Sequence, residues 1–252
     1  PRAMLLGRRT LVRDVAGGDA RMTWVGAPAG SGKTSLGLEL AAAHPGPVAW
    51  LRLDETDADL ASFFHFLAEA VRSGGVAADW QAPQLVREHL SAPAVYVRAF
   101  VRSLAGAVAA DACLVFDDTH RCQEAPFFGP LLSTLAEEMP HGTRVLCLSR
   151  LPPPVQSTRL VVNGQMREMT GADLHFSAAE TEALLAAIGV PRNPDTTTTV
   201  GRLTHGWAAG IAMVGAWMQR RPGETPAWDL DLARSVAGYL ASEVFGTFTP
   251  LE

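Results

Sequence analysis

Lysine is almost missing from this sequence, although basic residues are not. Of the 21 basic residues, 20 are arginine and one, Lys33, is lysine. A lysine ammonium is a compact charge on a flexible stem, and the planar fork of arginine does not replace it where a phosphate must be reached inside a narrow loop. An arginine-biased genome is one explanation of this count, and a specific role for Lys33 is the other.

Cysteine and long apolar runs are also scarce, which excludes several classes of protein. The three cysteines form no C-x-x-C pair, and two of them, Cys113 and Cys147, lie in apolar runs where cysteine behaves as a small hydrophobic residue. No apolar stretch approaches the roughly 18 residues of a membrane-spanning helix, and the sequence shows no signal-peptide core. We therefore expect a cytoplasmic protein that does not enter a membrane.

Positive charge is too scarce for a chain that holds DNA through its phosphates. Acidic residues number 26 against 21 basic ones, and the net charge is −5. Any contact with DNA would therefore need a local basic patch or a segment that this chain does not contain. The other proportions are ordinary for a globular protein, and 252 residues suffice for one large domain or two small ones.

A predicted strand, a glycine-rich loop and a predicted helix follow one another near the start of the chain. The strand covers residues 22–26 and the helix residues 35–43. The residues between them are Ala27, Pro28, Ala29, Gly30, Ser31, Gly32, Lys33 and Thr34. They match the P-loop pattern, with alanine at the first, usually glycine, position. Backbone N–H groups of such a loop, together with the start of the next helix, bind phosphate oxygens.

The P-loop pattern assigns a role to each polar side chain at its end. Lys33 is predicted to reach the β- and γ-phosphates of a nucleotide, and the Thr34 hydroxyl is predicted to bind Mg²⁺. Ser35 completes the predicted nucleotide-binding residues. The alternative is a glycine turn with an incidental Gly-Lys-Thr, which the flanking strand, the helix and the single lysine disfavour.

Two acidic residues follow a second apolar run, at residues 113–116. Asp117 is predicted to bind Mg²⁺, because P-loop nucleotidases place a metal-binding acid at the end of a buried strand. Asp118 is predicted to polarise the attacking water or accept its proton, and a cap of the next turn is its alternative role. His120 is a candidate for a hydrogen bond near the γ-phosphate, or a structural histidine.

Arg150 follows a third apolar run, at residues 144–148. A guanidinium at that strand end is suited to read the γ-phosphate and so to distinguish a triphosphate from a diphosphate. The alternative is a surface arginine before a proline loop. Asp117, Asp118 and Arg150 are therefore the candidate catalytic residues.

Strands and helices alternate over the first part of the sequence, which predicts an α/β fold with an open parallel sheet and helices on both faces. A further strand is predicted at 48–53. Helices are predicted from Leu60 onward and at 94–110 and 131–139. The three prolines at 152–154 break the pattern, and from Ser177 onward only helices are predicted, at 178–188, 198–204, 207–218 and 232–245. Ser177 is the predicted N-cap of the first of these, with Glu180 three residues later.

Five segments together resemble the nucleotide-binding module of MalT-like, LuxR-type regulators, which belong to the STAND class of signal-transducing ATPases. These segments are 27–34 (APAGSGKT), 114–120 (LVFDDTH), 149–153 (SRLPP), 173–177 (DLHFS) and 204–210 (THGWAAG). The resemblance implies a P-loop nucleotide-binding domain at 1–170, a helical domain at 171–226 and the truncated start of a winged-helix domain at 227–252. It also implies ATP, ADP and Mg²⁺ as ligands.

The resemblance further implies a switch. An ADP-bound form is inactive, and inducer and ATP together open it for self-association. Residues 206–210 are expected to close over the base of the nucleotide. Three positions depart from the family pattern: Ala208 replaces a proline, His205 replaces a glutamate, and Ser31 replaces an aromatic residue. Because that proline is expected to lie near the adenine, we expect Ala208 to change nucleotide affinity or the closed state.

Three functions are compatible with these motifs. The first is a regulatory module with slow ATP hydrolysis, whose inducer and DNA bind through parts outside this chain. The second is a STAND-type defence or scaffold ATPase, which has the same core and a different effector. The third is a P-loop small-molecule kinase, although no second basic cluster or arginine-rich lid follows the loop.

Overall fold

The described residues form two compact units. The computed structural model describes residues 8–108, 111–221, 223, 224, 226, 233, 234, 236–239 and 241. One unit, here called the α/β unit, contains Arg9–Ala27 and Lys33–Thr170. The other, here called the helical unit, contains Arg8, Pro28–Gly32 and the described residues from Gly171 onward.

A parallel sheet of five strands is the centre of the α/β unit. The strands are β1 (Met22–Gly26), β2 (Val48–Arg52), β3 (Cys113–Asp117), β4 (Arg144–Ser149) and β5 (Met166–Thr170). Their order across the sheet is β2-β3-β4-β1-β5, and every neighbouring pair is parallel. β3 is buried along its whole length, as its unbroken apolar run predicts for a central parallel strand. The predicted parallel α/β fold is confirmed.

Seven helices of the α/β unit accompany the sheet. They are α1 (Arg9–Ala16), α2 (Lys33–Ala43), α3 (Leu60–Ser73), α4 (Arg87–Ser91), α5 (Pro93–Ala105), α6 (Phe128–Glu138) and α7 (Thr158–Val162). The apolar stripe of α3 is fully buried, from Leu60 through Phe63, Phe64 and Leu67 to Val71. Phe63 stacks on Phe116 of β3, so this stripe packs on the sheet as its helical spacing predicts.

Several elements of the α/β unit differ from the predictions. The predicted helix at 94–110 is observed as α5, which ends at Ala105, where Gly106 caps it. The short helix α4 lies in a stretch without a clear pattern. Neither α7 nor the edge strand β5 was predicted; β5 buries Met166 and Met169 and leaves the residues between them at least partly exposed.

The helical unit contains three well-formed helices around its own apolar core. They are α8 (Ala178–Ile188), α9 (Pro194–Thr204) and α10 (Ala208–Arg220). Ser177 and Glu180 form the predicted capping box at the start of α8. α9 begins four residues before the predicted start, because Asn193 caps it and Pro194 occupies its first turn. The predicted helix at 232–245 and the winged-helix start at 227–252 lie outside the described residues, apart from isolated positions.

All three cysteines are buried and free of disulfide bonds. Burial raises the pKa of the Cys113 thiol to about 11 and that of Cys122 to about 12, so both remain neutral small hydrophobic groups. Within the described residues, no helix combines the length and the apolar character that crossing a bilayer requires.

Candidate nucleotide site

The glycine-rich loop leaves β1 at Ala27 and turns through two left-handed glycines. Gly30 has φ 72° and Gly32 has φ 85°, and non-glycine residues are rare in this region. A side chain on Gly30 would also place its Cβ atom 2.5 Å from the Cβ atom of Ala209. Both glycines of the predicted loop are therefore required by its backbone.

Residues at the start of α10 hold the carbonyl groups of this loop. The Ala209 amide donates a hydrogen bond to the Gly30 carbonyl at 3.0 Å. The Trp207 indole donates one to the Ala29 carbonyl at 3.2 Å. These two hydrogen bonds fix the backbone of the loop at Ala29 and Gly30. Pro28 is exposed and Ser31 is buried.

Lys33 is the first residue of α2 and is only 8% exposed. Its Nζ atom donates a hydrogen bond to the Ala27 carbonyl at 2.7 Å, across the base of the loop. A buried ammonium requires such partners, and its three donors allow it to bind a carbonyl and a phosphate oxygen together. Ser35, two residues later, is partly buried in the first turn of the same helix.

Thr34 and Asp117 are in direct contact. The Thr34 Oγ1 atom lies 3.3 Å from Oδ1 and 3.2 Å from Oδ2 of Asp117, so its proton is shared between the two carboxylate oxygens. Thr34 is exposed, whereas Asp117 is 2% exposed at the end of β3. Burial raises the pKa of Asp117, and the neighbouring charge of Asp118 raises it further. A cation at this carboxylate would offset both effects.

These two side chains fit a magnesium ion. A hydroxyl and a carboxylate are hard oxygen donors, and Mg²⁺ in nucleotide sites is held by one or two such protein groups together with phosphates and water. In the described part of the chain, no three histidine, cysteine, aspartate or glutamate side chains form a metal-binding group.

Asp118 has an unusual backbone conformation, with φ 60° and ψ 36° in the left-handed region. Its Oδ2 atom lies 3.4 Å from Nε of Arg52, and its Oδ1 atom lies 4.0 Å from Nδ1 of His120. Strained residues of this kind cluster at functional sites. Arg52 was not predicted; the signal that could have found it is its position at the end of β2, the strand that pairs with β3.

His120 is nearly buried and faces several charged groups. Its side chain is 12% exposed. Burial lowers the pKa of His120 to about 4; the positive charges of Arg150, Arg121 and Lys33 contribute, and Asp118 opposes them. The ring is therefore neutral at pH 7 and has one donor and one acceptor nitrogen.

Arg150 follows β4, the neighbour of β3 in the sheet, and is partly exposed. The residue before it is fixed: Ser149 is fully buried, and its hydroxyl donates to Oε1 of Gln123 at 2.9 Å. The same hydroxyl accepts a hydrogen bond from the Leu151 amide at 3.1 Å. The backbone on both sides of Arg150 is thus held in place, which sequence patterns could not have indicated.

The fold, a parallel sheet with a glycine-rich loop between β1 and α2, resembles that of solved P-loop ATPases. The STAND protein with a tetratricopeptide repeat sensor from Pyrococcus horikoshii superposes with a TM-score of 0.54 at 17% identity, over 92% of this chain and 32% of that one. The Walker-type ATPase of Pyrococcus abyssi gives 0.56 at 11% identity, over 97% of this chain and 76% of that one. At these identities the likeness concerns the fold.

Comparison of the sequence with curated proteins shows which regulators the chain resembles. The HTH-type transcriptional regulator MalT of Yersinia enterocolitica is 25% identical over 239 residues, which cover 94% of this chain and 26% of that protein. The chain thus spans about a quarter of the length of the curated relatives it matches. No family model matches the chain. The predicted resemblance to the nucleotide-binding module of MalT-like regulators is confirmed.

Proposed function

We propose that this chain is the ATP/ADP-binding regulatory module of a larger MalT-like transcriptional regulator and that it hydrolyses ATP slowly. The observation that carries this proposal is the contact between Thr34 and Asp117, at 3.2 and 3.3 Å. It joins the end of the phosphate-binding motif to the acid that follows a buried strand. Such a contact supports a site for Mg²⁺ and the phosphates of a nucleotide, as in P-loop ATPases.

Each polar group then has a defined role. The N–H groups of residues 27–34 and the start of α2 bind phosphate oxygens, and Lys33 neutralises the β- and γ-phosphates. Thr34 and Asp117 hold Mg²⁺, which would supply charge stabilisation at the phosphates. Asp118 polarises the attacking water. Arg150 contacts the γ-phosphate and so distinguishes ATP from ADP.

A regulatory role is favoured over a metabolic one by the relatives. The MalT proteins are named as transcriptional regulators, and this chain matches about a quarter of their length. We therefore propose that the inducer and the DNA bind through other parts of the protein, and that the ATP form of the whole protein self-associates. The proposed domains are 1–170, 171–226 and 227–252, and the proposed compartment is the cytoplasm, in agreement with three free, buried cysteines.

We also propose that this chain alone does not bind DNA. Its net charge is −5, so it has the wrong sign for a phosphate-binding surface. Sequence-selective retardation of promoter fragments by the purified chain would contradict it.

A binding and turnover experiment tests the proposed function. Titration calorimetry with Mg·ATP and with ADP is expected to show binding of both. Phosphate release should be far slower than the roughly 1 to 10³ s⁻¹ of metabolic enzymes. A screen of small-molecule phosphate acceptors should not speed up ATP consumption. Failure to bind either nucleotide, or transfer of phosphate to an acceptor at an enzyme-like rate, would contradict the proposal.

A further inference from the structure

The imidazole of His120 lies in surroundings that suit it poorly as a packing residue. Both ring nitrogens are buried, and neither has a hydrogen-bond partner within the described residues. Burying polar atoms without partners is unfavourable, and an apolar side chain of similar size would fill the same space at less cost. This side chain therefore requires an explanation beyond packing.

An anionic group, Asp118, faces this ring. Its Oδ1 atom lies 4.0 Å from Nδ1 of His120, about 1 Å beyond a hydrogen bond. The other carboxylate oxygen, Oδ2, faces Arg52 at 3.4 Å. The left-handed backbone of Asp118, with φ 60°, carries its side chain at this position. Hydrogen bonds within catalytic sites are often long before the substrate binds and tighten in the complex.

We propose that His120 is a positioning residue for ATP hydrolysis: its Nδ1–H group donates a hydrogen bond to Oδ1 of Asp118 and thereby orients the carboxylate toward the attacking water. The inference rests on the proposed function, in which Asp118 polarises that water. His120 itself neither takes up nor releases a proton in the reaction. It acts only through Asp118.

The charges around the ring favour this role over that of a general base. Arg121 lies in the same turn as His120, Lys33 begins α2, and Arg150 follows β4; all three act on the ring with positive charge. Together with burial they keep the imidazole neutral. A neutral imidazole whose Nδ1 carries the proton is a donor toward Asp118. A base would need to take up a proton among three cations.

Three variants at one position test the proposal. His120→Phe keeps the size of the ring and removes both nitrogens. His120→Asn keeps a donor close to the Nδ1 position, whereas His120→Gln moves the donor toward the Nε2 position. His65→Phe, on the exposed face of α3, is the matched control. For each variant, kcat and the ATP affinity of the chain are measured separately.

We expect His120→Phe to lower kcat about tenfold or more, the loss of one hydrogen bond to a charged group, while ATP affinity stays within about twofold. His120→Asn should recover most of the rate, and His120→Gln should not. His65→Phe should match the wild type. Wild-type turnover in His120→Phe, or equal rates in the Asn and Gln variants, would overturn the proposal. If His120→Phe fails to fold, the comparison of Asn with Gln still decides.

A double-mutant cycle separates this inference from the proposed function. Once Asp118→Asn has removed the carboxylate, adding His120→Phe should slow hydrolysis no further. Additive losses would mean that His120 does not act through Asp118, and the inference would be wrong. Unchanged hydrolysis in Asp118→Asn alone would instead contradict the role of Asp118 in the proposed function.

Discussion

The hydroxyl of Thr34 lies within 3.3 Å of both carboxylate oxygens of Asp117, a residue 83 positions later in the chain. The two side chains come from the first turn of α2 and from the end of β3. The sheet order explains the contact, because one strand, β4, separates β3 from β1, and α2 follows β1 through the loop. The two predicted metal ligands thus meet.

Asp117→Asn should weaken the dependence of ATP binding on Mg²⁺. Asparagine keeps the shape of the side chain and removes the anion that would face the metal. We expect ATP affinity in the presence of Mg²⁺ to fall about tenfold, the loss of one charge-assisted contact, and affinity in the presence of EDTA to change little. Calorimetric titrations at several Mg²⁺ concentrations measure both.

Two variants of Thr34 serve as the matched pair for this prediction. Thr34→Ser keeps the hydroxyl and should behave as the wild type, whereas Thr34→Ala should behave as Asp117→Asn. If magnesium strengthens ATP binding equally in all of these proteins, the Thr34–Asp117 contact is structural and the metal lies elsewhere.

Arg150→Ala should reduce the ratio of ATP affinity to ADP affinity by about fivefold or more, with ADP binding nearly unchanged. A group that contacts only the γ-phosphate changes binding only for the nucleotide that has one, and a ligand shifts an equilibrium only by its differential affinity. Equilibrium titration with both nucleotides measures the ratio. Arg159→Ala, an exposed arginine on α7, is the control. Equal losses for ATP and ADP would make Arg150 a general binding or folding residue.

Buried elements were predictable from the sequence, and exposed ones were not. β3 is buried on both faces, so its apolar run predicts it directly, and the stripe of α3 follows helical spacing. β5 is an edge strand in which Arg167 and Glu168 separate two buried methionines, so it has no apolar run. α4 has no buried residue and therefore no periodic pattern.

The positions of parallel strand ends predicted the edge of the sheet at which the candidate site residues lie. They did not predict the local backbone geometry of these residues. Asp117 and Arg150 could be placed because parallel strands present their carboxyl ends at one edge of the sheet. The left-handed backbone of Asp118 could not be predicted, because this conformation is rare for a residue other than glycine. The approach of His120 and Arg52 to its carboxylate depends on that conformation.

Glu180→Gln should destabilise the helical unit at neutral pH. The Glu180 carboxylate accepts a hydrogen bond at 2.9 Å from Nε of Arg8, a side chain only 7% exposed. Burial tends to raise the pKa of Glu180, but hydrogen bonds from Arg8 and Ser177 outweigh it, and the pKa is lowered. Glutamine keeps the capping box and removes the charge. Because Glu180 is partly exposed, we expect the free energy of unfolding to fall by about 1 to 2 kcal/mol.

The pH dependence of that loss follows from the lowered pKa. An acid whose folded-state pKa lies below its unfolded value stabilises the fold above the unfolded pKa, and the contribution disappears as pH falls through the folded pKa. The difference between wild type and Glu180→Gln should therefore be full at pH 7 and lost at an acidic pH below the lowered folded-state pKa of Glu180. Glu182 lies on the same helix as Glu180 and forms an exposed ion pair with Arg192. Glu182→Gln should therefore lower the free energy of unfolding by less than about 0.5 kcal/mol. Urea unfolding at both pH values measures each difference; a loss that persists at low pH would contradict the assignment.

Calorimetric titration of ATP into Lys33 variants tests the central claim, nucleotide binding by the P-loop, most directly. Lys33→Ala removes the only lysine of the chain, whose Nζ atom lies 2.7 Å from the Ala27 carbonyl. Lys33→Arg keeps the positive charge but replaces a compact ammonium with a planar fork. We predict that ATP binds at least about tenfold more weakly to both variants, because one charge-assisted contact in a buried loop is worth roughly 1.5 to 3 kcal/mol. ATP affinity equal to that of the wild type in Lys33→Ala would contradict the account.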